Sequence, residues 1–270
     1  MAKTGNSKYL KLMNRMGVLN ILRADEPLAR SQLAELTGLT PPAITGIISE
    51  LITIGFVEEI GRGKSHGGRK PVKLILNARA GYVIGIEITR KVSTVGVADL
   101  KNHPTSLTAH EIDMSDPEIG LPQLFTIVKG ILASSEYAGE RFLGLGLAFP
   151  GLLAMGAGVV KRAINLGPKW NGYPVKAVFE QALPLPVVVE MNPKVAVLAE
   201  KWFGDGQQHE NLAYVNWGEG ISAGIFQGND LLQGCLGFAG QVGHVVLVEN
   251  GPLCNCGNRG CTEAIWPFRL

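Results

Sequence analysis

The chain has 270 residues, 46% hydrophobic and 18% charged, which is room for one large or two to three small domains and too apolar for a disordered chain. No apolar run approaches the roughly 20 residues that cross a bilayer, and the opening MAKTGNSKYLK lacks the apolar stretch of a secretion signal, so a cytoplasmic protein without membrane contact is expected. The net charge of +2 divides unevenly: residues 1–80 carry 12 Lys and Arg against 6 Asp and Glu, the remainder 13 against 17, and a basic head predicts a polyanion partner.

Apolar spacing predicts a first helix over residues 9–23, with Leu10, Val18, Ile21 and Leu22 inward, and Asp25-Glu26-Pro27 ends it. Ser31 is expected to cap a second helix that stops at Gly38. Thr40 and Pro41 suit the start of a third. In it Ile44, Ile47, Ile48 and Leu51 follow the i, i+3, i+4, i+7 rule and should be buried. The opposite face carries small residues, Ala43, Thr45, Gly46 and Ser49, which let it come close to another surface. Two short helices about a glycine turn form a helix-turn-helix pattern, whose second helix enters the major groove of double-stranded DNA. FVEEI and PVKLIL then read as a hairpin, and the loop between them, GRGKSHGGRK, carries Arg62, Lys64, Arg69 and Lys70 with no acid. A basic wing beside a recognition helix can reach phosphates or the minor groove. Thr40, Ala43, Thr45, Gly46 and Ser49 with the four basic wing residues are the candidate DNA contacts.

From Tyr82 the pattern changes. YVIGIEI, VSTVGVADL and PTSLTAHEIDM predict three consecutive strands, followed by a helix near 119–135 and a buried strand FLGLGLAF. Residues 174–183 and 193–203 suit helices around a strand at 186–190, and a second three-strand run starts at NLAYVNW. The block of three strands begins twice, which predicts two related lobes with a cleft between them. Trp170, Trp202 and Trp217 are expected in the core or between lobes, and Cys235 as a buried thiol. Cys254-x-Cys256-x4-Cys261 supplies three soft ligands, and His244 lies ten residues earlier. Cys3His suits a closed tetrahedral Zn²⁺ site; the bland alternative is that these small thiols merely pack.

Several segments together resemble one family. PG at 150–151, NLGPKWNGYPV at 165–175, VVVEMNPKVAVLAE at 187–200, GEGISAGI at 218–225 and GFAGQVGHVVLVENGPLCNCGNRGCTEA at 237–264 are similar to the ROK family of sugar kinases and repressors. The N-terminal winged helix, with GGRKP at 67–71, resembles its repressor branch, and the likeness runs from about Asn14 to Ala264. It implies an α/β fold: a winged helix-turn-helix over 1–80, then an actin-like body of the ribonuclease H-like, hexokinase type, its first lobe over 81–203 and part of a second over 204–270. It assigns His244, Cys254, Cys256 and Cys261 to structural zinc, and Asn192, Gln241, His244 and Glu263 to a sugar or sugar-phosphate effector. One His244 nitrogen on zinc would leave the other for the sugar.

The kinase parts depart from the family pattern. The first phosphate loop, D-x-G-x-T in the kinases, is here Glu87-Ile88-Thr89-Arg90-Lys91, and the second, G-T-G, is Gly218-Glu219-Gly220. Backbone N–H groups then lose their room to approach phosphate, and Glu219 would repel it. Pro193 follows Asn192 where the kinases place the Asp that takes the proton from the sugar hydroxyl, and Gln241 stands where they have a Glu. The expectation is therefore a sugar-responsive regulator of carbohydrate metabolism, a repressor binding its operator as a homodimer or higher oligomer, and not an enzyme. A sugar kinase with a fused DNA-binding head and a sugar-independent DNA-binding protein stay open. The tail AIWPFRL, with its Pro267, does not suit the helical stretch that the resemblance leads one to expect next, so a truncated second lobe with exposed apolar faces is anticipated.

Replacing Arg69 and Lys70 by Gln should weaken duplex binding on every sequence. It should also flatten the slope of log affinity against log salt by about two, as read from anisotropy titrations over a salt series.

Overall fold

The computed structural model describes residues 7–62, 71–154, 156–218, 220–228 and 230–266. Three helices open it, α1 (Ser7–Ala24), α2 (Arg30–Thr37) and α3 (Pro41–Thr53), with the short strand β1 (Leu28–Ala29) before α2. The hairpin strands β2 (Val57–Arg62) and β3 (Val72–Leu76) follow, and β3 pairs antiparallel with both β1 and β2. The apolar stripe of α3, Ile44, Ile47, Ile48 and Leu51, is buried against Val18, Leu22, Leu33, Val57 and Leu74.

Local chemistry explains the helix ends. Gly38 adopts φ +68°, the left-handed conformation that only glycine reaches without strain, and this makes the turn between α2 and α3. Ser31 lies inside the first turn of α2 and is not its cap; the capping position is Ala29, whose N–H donates to Gln32 Oε1 at 2.9 Å. Thr40 occupies the cap position of α3 but its hydroxyl makes no capping bond, and Pro41 fills the first helical position. Leu10, expected inside, is 55% exposed. At that level the face of α1 turned to α3 is held by Lys11 and Arg15, which pair with Glu50, and Leu10 points elsewhere.

The rest of the chain begins with β4 (Tyr82–Ile88), β5 (Val92–Asp99), β6 (Pro104–Glu111) and α4 (Pro117–Leu132). Then come β7 (Phe142–Phe149), β8 (Leu152–Ala154), β9 (Val159–Arg162), α5 (Val175–Ala182), β10 (Val187–Met191) and α6 (Asn192–Phe203). Last are β11 (Leu212–Trp217), β12 (Ile221–Gln227), β13 (Asp230–Leu231) and the single turn α7 (Thr262–Ile265). Two compact units emerge: one runs to Tyr82 and includes Ala98–His103, the other comprises Val83–Val97 and the chain from Pro104 on.

The main sheet has the order β10-β7-β4-β5-β6, with β7 and β10 parallel and Leu145 opposite Val187. A second, antiparallel sheet has the order β11-β12-β13, and α6 packs against β11 and β12. The strands of the main sheet bury Ile84, Ile86, Ile88, Leu145, Leu147 and Phe149. The β8–β9 hairpin has no counterpart in the apolar pattern, because three- and four-residue strands are too short to alternate visibly. Trp170 is buried and donates its indole N–H to the Met114 carbonyl at 2.6 Å. Trp202 and Trp217, expected inside, are 47% and 51% exposed, and Cys235 is exposed as well. On β11, Val215 also faces solvent, as do Val245–Val248 further along.

Ile48→Ala in α3 should cost the first unit about 2–5 kcal/mol of unfolding free energy, the transfer term plus a cavity. Ser49→Ala, on the exposed face of the same helix, should stay within about 0.5 kcal/mol in the same urea titration.

Candidate functional site

The first unit presents Thr40, Ala43, Thr45, Gly46 and Ser49 on the exposed side of α3, as the periodicity predicts. The Thr45 hydroxyl donates to the Pro41 carbonyl at 2.9 Å, so it stays folded against its own helix. Glu50 is the one acid in the sequence of α3, and Lys11 and Arg15 of α1 both bond its carboxylate. Those two hydrogen bonds hold the Glu50 carboxyl below the usual carboxylate range. The pairing offsets a negative charge that would otherwise repel a phosphate backbone from this helix. Of the wing residues, Lys64, Arg69 and Lys70 lie outside the described residues, and Arg62 is described only as the end of β2.

In the second unit a cavity of about 330 Å³ opens between the two sheets. Its walls include Glu87, Thr89, Asn165, Asn192, Pro193, Gln241, His244 and Glu263. All four residues expected to form a polar rim therefore line one pocket. Asn192, the first residue of α6, donates from Nδ2 to the Ile88 carbonyl at 3.1 Å. Its Oδ1 is buried with no hydrogen-bond partner among the described residues. A buried acceptor left unmatched costs about 1–3 kcal/mol, so a ligand hydroxyl donating to it would recover that energy. Glu263 accepts the Ile221 N–H on Oε2 at 3.1 Å, while its Oε1 lies 3.8 Å from His244 Nδ1. The start of α6 thus offers the pocket an amide and a proline, and no carboxylate. Glu219, the acid of the second phosphate turn, lies outside the described residues.

Asn165, Asn216, Ser222 and Arg162 also line the pocket without having been singled out from the sequence. Asn165 sits inside the quoted NLGPKWNGYPV segment, which was the available signal. Arg162 ends β9 and donates to the Cys256 carbonyl at 3.2 Å, a contact between segments 94 positions apart that no local pattern announces.

Behind Glu263 the ligand atoms of His244, Cys254, Cys256 and Cys261 all lie within 4.8 Å of one another. Cys254 Sγ is 3.7 Å from His244 Nδ1, and the Cys256 and Cys261 sulfurs are 3.6 Å apart. Neighbouring corners of a tetrahedron with metal–ligand bonds of about 2.0–2.3 Å stand at such separations. The chain folds into this knuckle through a tight turn in which the Gly257 N–H donates to the Cys254 carbonyl at 2.9 Å. Gly260 passes so close to Val248 that a Cβ there would sit 1.7 Å from its carbonyl oxygen. Burial pushes the Cys254 thiol up to about 12 and raises Cys261 too. Cys256 goes the other way: burial opposes ionisation, but the Asn258 N–H and the neighbouring thiols favour its thiolate. A cation held by all four must supply the charge that offsets desolvation of the thiolates, and the soft, closed donor set fits such an ion.

Comparison with known proteins places these sites in context. The model described as "ROK family" matches residues 83–267, and one described as "Winged helix-turn-helix DNA-binding" matches 14–58. The xylose repressor of Caldicellulosiruptor bescii is 33% identical over 96% of this chain and 65% of its own length. The chain thus spans slightly under two thirds of the curated repressors that it matches along most of its length. Among solved structures, a ROK family transcriptional regulator described as a homologue of the E. coli MLC protein superposes with a TM-score of 0.79 at 27% identity, covering 93% of this chain and 63% of that one. A ROK family glucokinase from Streptomyces griseus, solved with glucose and AMPPNP, gives a TM-score of 0.58 at 31% identity over 67% of this chain and 55% of its own.

Metal analysis of the purified chain should find a bound divalent ion that Cys256→Ser loses. A strong chelator should lower the melting temperature of the wild type and leave that of the variant unchanged.

Proposed function

The chain belongs to the ROK family, and from that footing we propose that it is a sugar-responsive DNA-binding transcriptional regulator, a repressor, without kinase activity. One observation carries the reading: a single chain joins a helix-turn-helix with a small-residue, charge-neutralised outer face to a polar pocket that holds an unmatched buried acceptor. The similarity to xylose repressors supports it. Thr40, Ala43, Thr45, Gly46 and Ser49 would face the major groove, with Arg62, Lys64, Arg69 and Lys70 of the wing on phosphates or the minor groove. Two copies would pair so that their recognition helices meet two half-sites.

In the pocket Asn192, Gln241, His244 and Glu263 would bond the hydroxyls of a sugar or sugar phosphate. That ligand acts on DNA binding only through its different affinity for the two arrangements of the protein. Zinc is the ion proposed for His244, Cys254, Cys256 and Cys261. Bound there it would be structural, and the residues it orders, His244 and through it Glu263, belong to the pocket.

The glucokinase likeness makes a kinase the second reading. Against it stands the chemistry of the pocket: Asn192 and Pro193 at the start of α6 provide no proton acceptor. Among the described residues the carboxylates on the walls are Glu87 and Glu263, and Glu263 already accepts the Ile221 N–H.

Selection from random duplexes should return a preferred site. D-xylose, D-glucose, N-acetyl-D-glucosamine and the 6-phosphates of the two hexoses are then added in turn. One of them should weaken binding to that site by about 5–150-fold, the usual span of a coupling free energy of 1–3 kcal/mol. Asn192→Ala should reduce that response by roughly tenfold in sugar concentration while leaving DNA affinity without sugar unchanged. Phosphorylation of glucose by ATP, or failure to select any duplex, would overturn the reading.

A further inference from the structure

Lys194, the third residue of α6, is 1% exposed and has no part in the pocket contacts described above. Its ammonium donates to Gln233 Oε1 at 2.6 Å and to the Gly237 carbonyl at 2.7 Å. The Glu190 carboxylate stands 3.9 Å away, and the Gln233 amide reaches that same carboxylate at 3.5 Å. Burying an ammonium costs several kcal/mol of desolvation, and an apolar side chain of similar volume often serves stability as well or better. What the charge adds is direction. Its two acceptors lie on the segment 232–240, which has no helix or strand of its own. That segment leads straight into Gln241, which lines the pocket, and Asn192, two positions before Lys194, lines it too.

We propose that Lys194 is a positioning residue for effector binding: by tying Gln233 and Gly237 to α6 it sets the spacing between Asn192 and Gln241. The effector part of this inference rests on the sugar reading of the pocket. The network also borders a second cavity of about 290 Å³, lined by Glu190, Met191, Lys194, Gln233 and Gly237, which gives the segment room to shift once the ammonium is removed. Met191 lines both cavities, so the network and the pocket share a side chain.

The test compares full-length wild type with Lys194→Met and Gln233→Leu by hydrogen exchange and by calorimetric titration with D-xylose. Amides of residues 233–241 should exchange about tenfold faster in each variant, with those of β7 and β10 unchanged. The D-xylose dissociation constant should rise roughly tenfold in each single variant and no further in the double one. A role in stability alone would lower the melting temperature and leave exchange at 233–241 and sugar affinity as in the wild type, and that result overturns the proposal. Should Lys194→Met not fold, Gln233→Leu gives both readouts by itself. Should the wild type ignore D-xylose, the sugar reading fails for that ligand and the exchange pattern alone decides whether Lys194 positions the segment.

Discussion

The convergence of one imidazole and three thiols within 4.8 Å is the constraint on which the pocket depends. Between His244 and Cys261 the chain forms no helix and no more than isolated bridges, Val246 with Cys261 and Leu253 with Arg259. The sixteen residues between them are irregular in conformation and Val245–Val248 are about half exposed, so little apolar burial opposes the entropy of this segment. An ion held by these four donors would add cohesion, because its free energy of binding would become folding free energy for this segment. Glu263 transmits the order. Its carboxylate faces His244 and Cys254 with one oxygen and the Ile221 backbone with the other, so the His and Cys cluster adjoins the pocket.

The pocket's own chemistry is that of recognition. Amides, an imidazole and a carboxylate already engaged by backbone can match hydroxyl groups, and Asn192 Oδ1 is a buried acceptor without a partner among the described residues. Phosphoryl transfer asks for more: a free base against the reacting hydroxyl and backbone close to phosphate. The chain is similar in fold to a glucokinase and in sequence to xylose repressors, and fold likeness by itself does not decide between binding and turnover.

The first unit shows how a small module spends its charges. Four apolar residues of α3 are consumed by the core, which leaves small side chains outward. The one acid of that helix is neutralised by Lys11 and Arg15 from α1, two of the basic residues behind the positive balance of the head. Part of the positive charge of this unit therefore cancels an acid on α3.

Much of this was legible in the residues themselves. The Ile44, Ile47, Ile48 and Leu51 stripe is a property of spacing along one helix, and it is buried as that spacing demands. Cysteines in an x1, x4 pattern among glycines lie close in space because they lie close in sequence, and the twice-begun block of strands reappears as two sheets. Where the local signal named the wrong residue, a close neighbour made the contact: Gln32 accepts the Ala29 N–H at the start of α2, and Lys11 and Arg15 rather than Leu10 reach α3 through Glu50. Trp202, Trp217 and Cys235 are exposed although their side chains favour burial, since composition does not say which face a residue will occupy.

Sequence alone thus determined most of the elements, the inward face of α3 and the donor set that could hold a metal ion, all of which depend on residues a few positions apart. Tertiary structure decided that Asn192 and Gln241 line one cavity, that Arg162 reaches Cys256, and that a buried lysine bonds Gln233. Those contacts join residues 39 to 94 positions apart in the chain, and separations of that length are set by how sheets and helices pack, which no local periodicity encodes.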